Sequence, residues 1–141
     1  MAVAEDFTIE EKEEQERMVL ESVDRFLERD VEPFAHDLEA DDTYPQEIVD
    51  KMVDMGLFGA TIGMEYGGLG LSVSTYAKIV ERVSTVWMSV SGIFNSHLIM
   101  AAAVERSGTE EQKAKWLPKF ASGELRGGIA LTEPDAGTDL Q

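Results

Sequence analysis

The residues best suited to chemistry lie near the C-terminal end, where positions 130–139 are Ala-Leu-Thr-Glu-Pro-Asp-Ala-Gly-Thr-Asp. Thr132 and Thr138 supply hydroxyl groups, and Gly137 lets a ligand approach the backbone closely. Residues 127–132 have the composition of a strand that leads into a Pro/Gly turn. Such a strand end can hold a flat polar ring and a pyrophosphate. An ordinary strand-to-turn junction is the alternative interpretation.

The two histidines do not suggest a metal site. His36 and His97 are far apart in the sequence, and the chain has no cysteine, so no usual metal-ligand spacing exists. His97 lies in an apolar helix, where a lone histidine is more often a core residue than a ligand contact. The glycine-rich loop 67–70 lacks the Lys-Ser/Thr of a P-loop, and we predict a turn with positive φ there.

The elements that must position these groups are predicted to be helices. Thr8 with Glu11, and Thr109 with Gln112, form capping-box patterns. We expect Pro33 to bend or restart the first helix and Pro45 to lie in the first turn of the second. Ser72 can cap a third helix, and Gly56 and Gly123 can end helices. A fourth helix, roughly 87–106, is apolar nearly all round and should be surrounded by others. The predicted apolar stripe of the first helical region is Val19, Val23, Phe26, Leu27, Val31, Phe34 and Leu38.

Composition favours a soluble, acidic globular domain. The 141 residues carry a formal net charge of −16, which suits one domain and disfavours nucleic acid and anionic membrane surfaces as partners. Residues 1–16 lack the apolar core of a secretory signal. The most apolar stretch, 86–104, contains several polar residues, so we expect a buried helix and not a membrane span.

Four segments occur in a telling order along the chain. They are 56–59 with 65–70, then Asn95-Ser96, then 108–113 and 116–118 with Gly123-Glu124, and finally 130–139. Together they resemble the acyl-CoA dehydrogenase family, in which the last segment is the flavin-binding signature. Thr138 stands where serine is commoner, and it keeps the hydroxyl. Gly63 stands where proline is usual, which removes no chemical group.

The resemblance implies an all-α fold. It predicts an up-and-down bundle of about five to six helices over residues 1–126. It also implies that residues 127–141 begin a flavin-binding β-domain whose remainder is not present in this chain.

The resemblance also implies an FAD-dependent oxidoreductase. In this family a carboxylate removes the α-proton of an acyl-CoA thioester, and the β-hydrogen leaves as hydride to flavin N5. A later helical domain supplies that glutamate, so we nominate no catalytic residue here. The implied cofactor-binding residues are Ile129 and Leu131 through backbone groups, Thr132 through its hydroxyl, and Gly137 and Thr138 near the pyrophosphate.

By the same resemblance, the fourth helix lines the acyl cavity. The candidate substrate-binding residues are Ser89, Ile93, Phe94, His97 and Thr138. The implied partners are an acyl-CoA substrate and an electron-transfer flavoprotein or similar acceptor. A homo-oligomer built as a dimer of dimers, a homotetramer, is also implied. We expect a cytoplasmic protein of fatty acid metabolism that binds neither nucleic acid nor membranes.

Two other functions remain open at this stage. One is a non-catalytic helical partner subunit, and the other is an acyl-binding helical module of the same fold. An acyl-CoA oxidase would also share this region, because control of oxygen access depends on parts outside it.

Overall fold

The computed structural model describes residues 8–138, and this part of the chain is mainly helical. A π-helical turn, Leu27–Val31, and two short 3-10 turns, Leu57–Gly59 and Met64–Tyr66, lie between longer helices. The predicted all-α class is confirmed. The longer helices are α1 (Ile9–Phe26), α2 (Glu32–Ala40), α3 (Gln46–Asp54), α4 (Val73–Ser107) and α5 (Glu110–Ala121).

The chain forms two compact units. The first contains the described chain up to Lys51 together with Leu71–Ser91, and the second contains Met52–Gly70 and the chain from Gly92 onward. The domain boundary that the sequence suggests, between residues 126 and 127, is a different division and stays a prediction.

Side-chain caps begin α1 and α5 as the sequence predicts. The Glu11 amide donates to Thr8 Oγ1 at 3.2 Å, and the Thr8 amide donates to Glu11 Oε2 at 2.8 Å. The Gln112 amide likewise donates to Thr109 Oγ1 at 3.2 Å, and the Thr109 amide donates to Gln112 Oε1 at 2.8 Å. Each capping box satisfies two backbone donors that have no partner inside the helix.

The π-helical turn Leu27–Val31 separates α1 from α2, and Pro33 lies in the first turn of α2. The predicted restart near Pro33 is therefore confirmed. The prediction that Phe34 continues the buried stripe is wrong, because Phe34 is 53% exposed and Ala35 is buried. A π turn contains an extra residue, which rotates the following side chains by about 100° around the helix axis.

The core of the first unit includes one ion-pair cluster. Asp30 is buried, and its carboxylate accepts hydrogen bonds from Arg29 at 2.7 Å and from Lys51 Nζ at 2.8 Å. These hydrogen bonds lower the pKa of Asp30 to about 2. The cluster connects the π turn to α3. The apolar residues buried in this unit are Leu20, Val23, Phe26, Leu27, Val31, Ala35, Ile48, Val49, Ile79, Val83, Trp87 and Val90.

Helix α4 contains a break at Trp87, whose backbone is non-helical (φ −154°, ψ 101°). Two helices therefore meet there, close to the predicted start of the fourth helix. The first begins with the predicted cap, since the Thr75 amide donates to Ser72 Oγ at 3.0 Å.

By length and composition alone, α4 could cross a membrane, but a core helix passes the same test. Val83, Phe94 and Leu98 of this helix are buried in the protein, which is typical of a core helix. The prediction that other helices surround it fully is not met within residues 8–138. There, Met88 is 73% exposed and Ile99 is 50% exposed.

The strand predicted at residues 127–132 is not formed in the described part of the chain. One isolated antiparallel bridge joins Glu133 to Ala136. A strand requires a partner strand for its backbone groups, and within residues 8–138 none lies beside residues 127–132.

Candidate functional site

The glycines of the loop 56–70 allow tight turns and close packing of one backbone segment against another. Gly67 has φ 83° and Gly70 has φ 59°, as predicted for a tight turn. A Cβ added to Gly68 would lie 2.1 Å from the Ile62 carbonyl oxygen, and one added to Gly59 would lie 2.9 Å from the Ala121 oxygen. The loop therefore packs its own backbone, and that of α5, at distances that only glycine permits.

His97 is fully buried, and both of its ring nitrogens contact backbone groups. Its Nε2 lies 3.1 Å from the Phe120 carbonyl oxygen, and the Gly127 amide lies 3.3 Å from Nδ1. An amide nitrogen can only donate, so Nδ1 must accept the Gly127 hydrogen. Nε2 then carries the ring hydrogen and donates it to Phe120. The imidazole thus links the end of α5 to the segment that follows it.

The surroundings of His97 favour the neutral ring. Phe58 and Phe120 meet the imidazole edge to face, with ring centroids 5.2 and 5.6 Å away. Burial lowers the pKa of His97 most strongly, and the charge of Arg126 lowers it further, although the Phe120 and Phe58 carbonyls act in the opposite direction. The neutral imidazole can accept from one backbone group and donate to another, as this arrangement requires.

The C-terminal segment lies along the second half of α4. A Cβ added to Gly127 would lie 2.8 Å from the Met100 methyl, and one added to Gly128 would lie 3.9 Å from Ser96 Cβ. Ile129 and Met100 also line a shallow cavity of about 350 Å³ with Trp116 of α5. Residues 127–129 are therefore placed by contacts with α4.

The predicted cofactor-binding residues remain accessible in this chain. Ile129 is 43% exposed and Leu131 is 60% exposed, and Thr132, Gly137 and Thr138 are also exposed. Within residues 8–138, the backbone groups of 129–132 make no hydrogen bond to another part of the chain. Free peptide groups beside two hydroxyls suit a flavin ring and a pyrophosphate, so these residues fit FAD.

The turn that follows is closed by its own backbone. The Glu133 amide donates to the Ala136 oxygen at 2.8 Å, and the Ala136 amide donates to the Glu133 oxygen at 3.3 Å. This turn brings Gly137 back beside Thr132, because a Cβ added to Gly137 would lie 3.8 Å from Thr132 Cγ2. Asp139, the last residue of the sequence signature, lies outside the described residues.

The predicted substrate-binding residues differ in exposure. Ser89 and Thr138 are exposed, Ile93 is half-buried, and Phe94 and His97 are fully buried. Both nitrogens of His97 are already engaged with backbone groups, which matches the core interpretation of this residue. Its role toward a substrate, like those of the other four, stays a prediction.

Sequence reasoning missed the residues around His97. Phe58 is far in sequence from the neighbouring residues Arg126 and Gly127, and Arg126 lies over the Phe58 ring at 5.8 Å. The one local signal was the Gly127-Gly128 pair directly after Arg126. Two successive glycines indicate close packing, but they do not identify the partner.

The chain is similar to known proteins over most of its length. The family model described as acyl-CoA dehydrogenase, N-terminal domain, matches residues 13–124. The short-chain-specific acyl-CoA dehydrogenase of Clostridium acetobutylicum is 38% identical over 135 residues. The match covers 95% of this chain and 35% of that protein.

Solved structures of acyl-CoA dehydrogenases also match most of this chain. The butyryl-CoA dehydrogenase of Megasphaera elsdenii matches with a TM-score of 0.83 and 28% identity, over 96% of this chain and 36% of that one. An acyl-CoA dehydrogenase of Bacillus anthracis, complexed with FAD, matches with a TM-score of 0.76 and 29% identity, over 99% and 24%. The chain thus spans 36% or less of these relatives' length.

Proposed function

Because the chain belongs to the acyl-CoA dehydrogenase family, as its N-terminal domain, we propose that it serves in FAD-dependent α,β-dehydrogenation of an acyl-CoA thioester. The observation that carries this proposal is the segment 129–132, whose backbone groups are unpaired within the described chain. It is exposed and is placed by contacts with α4 just before it. A ligand or a further domain would satisfy those groups.

This chain's part in the chemistry is to hold the cofactor. When bound, FAD supplies the hydride acceptor, flavin N5, for the β-hydrogen of the substrate. Ile129 and Leu131 would offer backbone groups to the edge of the ring, and Thr132 would offer its hydroxyl to the N1/O2 side. Gly137 and Thr138 would contact the pyrophosphate. Their exposure in the described chain supports these assignments.

The general base lies outside this chain in our proposal. It is a carboxylate that takes the α-proton while the electron pair of that C–H bond forms the new double bond. The isolated 141 residues should therefore show no dehydrogenase turnover.

Helix α4 would line the acyl cavity through Ser89, Ile93, Phe94 and His97, with Thr138 near the CoA side. Ile93 and Phe94 would limit the cavity by their volume. The fully buried His97, with both nitrogens engaged, would contribute shape and not a hydrogen bond to the substrate.

The physiological setting extends the same proposal. We infer a cytoplasmic flavoprotein of fatty acid metabolism that assembles as a homotetramer. It would pass electrons to an electron-transfer flavoprotein or a similar acceptor. The family membership supports the acyl-CoA substrate and the flavoprotein character among these inferences.

A visible spectrum of the full-length protein tests the proposal. We expect the absorption bands of oxidised flavin, and bleaching of those bands when a short acyl-CoA ester is added without oxygen. The variant Thr132→Val removes the hydroxyl at nearly constant volume and should weaken flavin retention. Thr43→Val, at an exposed threonine before α3, is the matched control.

Two results would contradict the proposal. A full-length protein that stays colourless when refolded with FAD yet binds acyl-CoA would be an acyl-binding module. A flavin-loaded protein that no acyl-CoA ester reduces would lack the dehydrogenase function.

A further inference from the structure

We propose that His97 is a positioning residue for the flavin-binding segment, an inference that rests on the proposed function. Its imidazole accepts a hydrogen bond from the Gly127 amide and donates one to the Phe120 carbonyl oxygen. Phe120 lies at the end of α5, and Gly127 lies two residues before Ile129. The ring therefore fixes where the chain leaves the helices and begins the segment 129–138.

Three observations make this link a specific one. His97 has no exposed surface, so its nitrogens cannot exchange these partners for water. The rings of Phe58 and Phe120 hold the imidazole plane from two sides. Met100 also lies so close to Gly127 that a Cβ there would be 2.8 Å from its methyl. Gly127 is therefore held against α4 by both His97 and Met100.

The position of the Gly127 amide matters because the segment beyond it has few contacts of its own. Within residues 8–138, the contacts of residues 128–132 include the approach of Gly128 to Ser96, the shallow cavity at Ile129 and the approach of Gly137 to the Thr132 methyl. A shift of Gly127 would therefore move the peptide groups of Ile129 and Leu131. Those peptide groups would have to meet the ring edge at hydrogen-bond distance.

Two amide variants separate the hydrogen bonds of the imidazole. In His97→Asn the side-chain oxygen lies near the place of Nδ1 and can still accept from Gly127. In His97→Gln the amide nitrogen lies near the place of Nε2 and can still donate to Phe120, while the Gly127 bond is lost. A residue needed only for core volume would make His97→Asn the more harmful variant, because asparagine is smaller than glutamine and leaves a larger cavity.

The test uses the full-length protein and two measurements. The first is the FAD dissociation constant from flavin fluorescence, and the second is hydrogen exchange of the Gly127 amide. We expect His97→Gln to raise the dissociation constant about tenfold, the effect of losing one buried hydrogen bond, and to reduce Gly127 protection. His97→Asn should keep both values within about threefold of the wild type.

The wild-type protein provides a test that needs no variant to fold. Protonation puts a hydrogen on Nδ1, which then opposes the Gly127 amide, and Arg126 is the charged group described as acting on this ring. Because the pKa of His97 is lowered, Gly127 should stay protected through neutral pH. It should lose protection only once the pH has fallen below the ordinary histidine pKa, since burial displaces the protonation of His97 in that direction.

The positioning role would be overturned if both amide variants weakened FAD binding equally. It would also be overturned if Gly127 kept its protection in His97→Gln or in the wild type at low pH. A wild-type protein that binds no FAD would instead contradict the proposed function. The Gly127 exchange data would still decide whether His97 holds this amide.

Discussion

The helices and the C-terminal segment of this chain differ in how many of their backbone groups are hydrogen-bonded and in how much apolar surface they bury. From Ile9 to Ala121, capping boxes complete helix ends, and the helices bury apolar side chains such as Val49, Phe94 and Leu117. Residues 125–132 expose Leu125, Ile129 and Leu131 and leave their own peptide groups largely unpaired. The helices pair most of their own backbone groups, and the segment does not.

The difference is consistent with the proposed function. Groups that a fold uses for its own stability are already engaged, and groups that must meet a ligand or another domain are left open. In this chain the open groups coincide with the residues that resemble a flavin-binding signature. Stability and ligand binding should therefore respond to different substitutions.

Two leucines test that contrast most strongly. Leu117 is fully buried in α5 and Leu131 is 60% exposed. We expect Leu117→Ala to lower the free energy of unfolding by about 3 kcal/mol because it leaves a cavity. Leu131→Ala should change it by less than about 0.5 kcal/mol. Urea unfolding followed by circular dichroism measures both, and equal losses would mean that the segment is part of the core.

Two neighbouring glycines give the next largest effect. A Cβ at Gly68 would overlap the Ile62 carbonyl, while Gly67 has open space around it. We expect Gly68→Ala to lower the free energy of unfolding by up to about 3 kcal/mol, because the backbone must move to make room for the added Cβ. Gly67→Asn should cost less than about 1 kcal/mol, because asparagine tolerates positive φ. Thermal unfolding of the two variants gives the ranking, and a reversed order would contradict this packing.

The Asp30 cluster predicts an acid-dependent stability. The pKa of the Asp30 carboxyl is about 2 in the folded chain, below the ordinary aspartate value of about 3.9. The carboxylate therefore stabilises the fold above pH about 4, and this contribution is lost as the pH falls toward 2. We expect Asp30→Asn to lower stability at pH 7 and to flatten the loss between pH 4 and 2.

The matched control for Asp30 is Asp37→Asn, since Asp37 is exposed beside His36. Across that pH range the unfolding midpoints of this variant should follow those of the wild type, because the Asp30 cluster is intact. If Asp30→Asn and the wild type showed parallel acid curves, the ion-pair cluster would not be the source of the effect.

The cap of α5 provides the smallest test on the helical side. Thr109→Ala removes the oxygen that accepts from the Gln112 amide, and we expect a loss of about 1 kcal/mol. Thr109→Ser keeps a hydroxyl and should restore most of it. FAD affinity of the full-length protein should not change in either variant beyond what the stability loss explains. A cap variant that released flavin selectively would break the separation between core and interface.

Local signals predicted much of the fold. These signals depend on only a few neighbouring residues. They are the capping boxes at Thr8 and Thr109, the cap at Ser72 and the positive φ at Gly56 and Gly123. The all-α class followed from the helical spacing of apolar residues and from the family resemblance.

Features that depend on distant partners could not be predicted in this way. The exposure of Phe34 depends on the extra residue of the π turn, which no capping or spacing rule marks. The partners of His97 come from Phe58, Phe120 and Gly127, which only the folded chain brings together. The candidate site could therefore be located by its signature, but its supporting contacts could not.

The π turn Leu27–Val31 has a consequence for sequence length. Removing one residue from it, for example by deleting Glu28, would allow an uninterrupted α-helix and turn the following side chains by about 100°. Phe34 would rotate away from its exposed position, and Asp30 would leave the place where Lys51 Nζ now lies 2.8 Å from its carboxylate. A relative that is shorter by one residue here would therefore need a different residue at the position of Phe34 and a different partner for Lys51, even if the rest of the helix were identical.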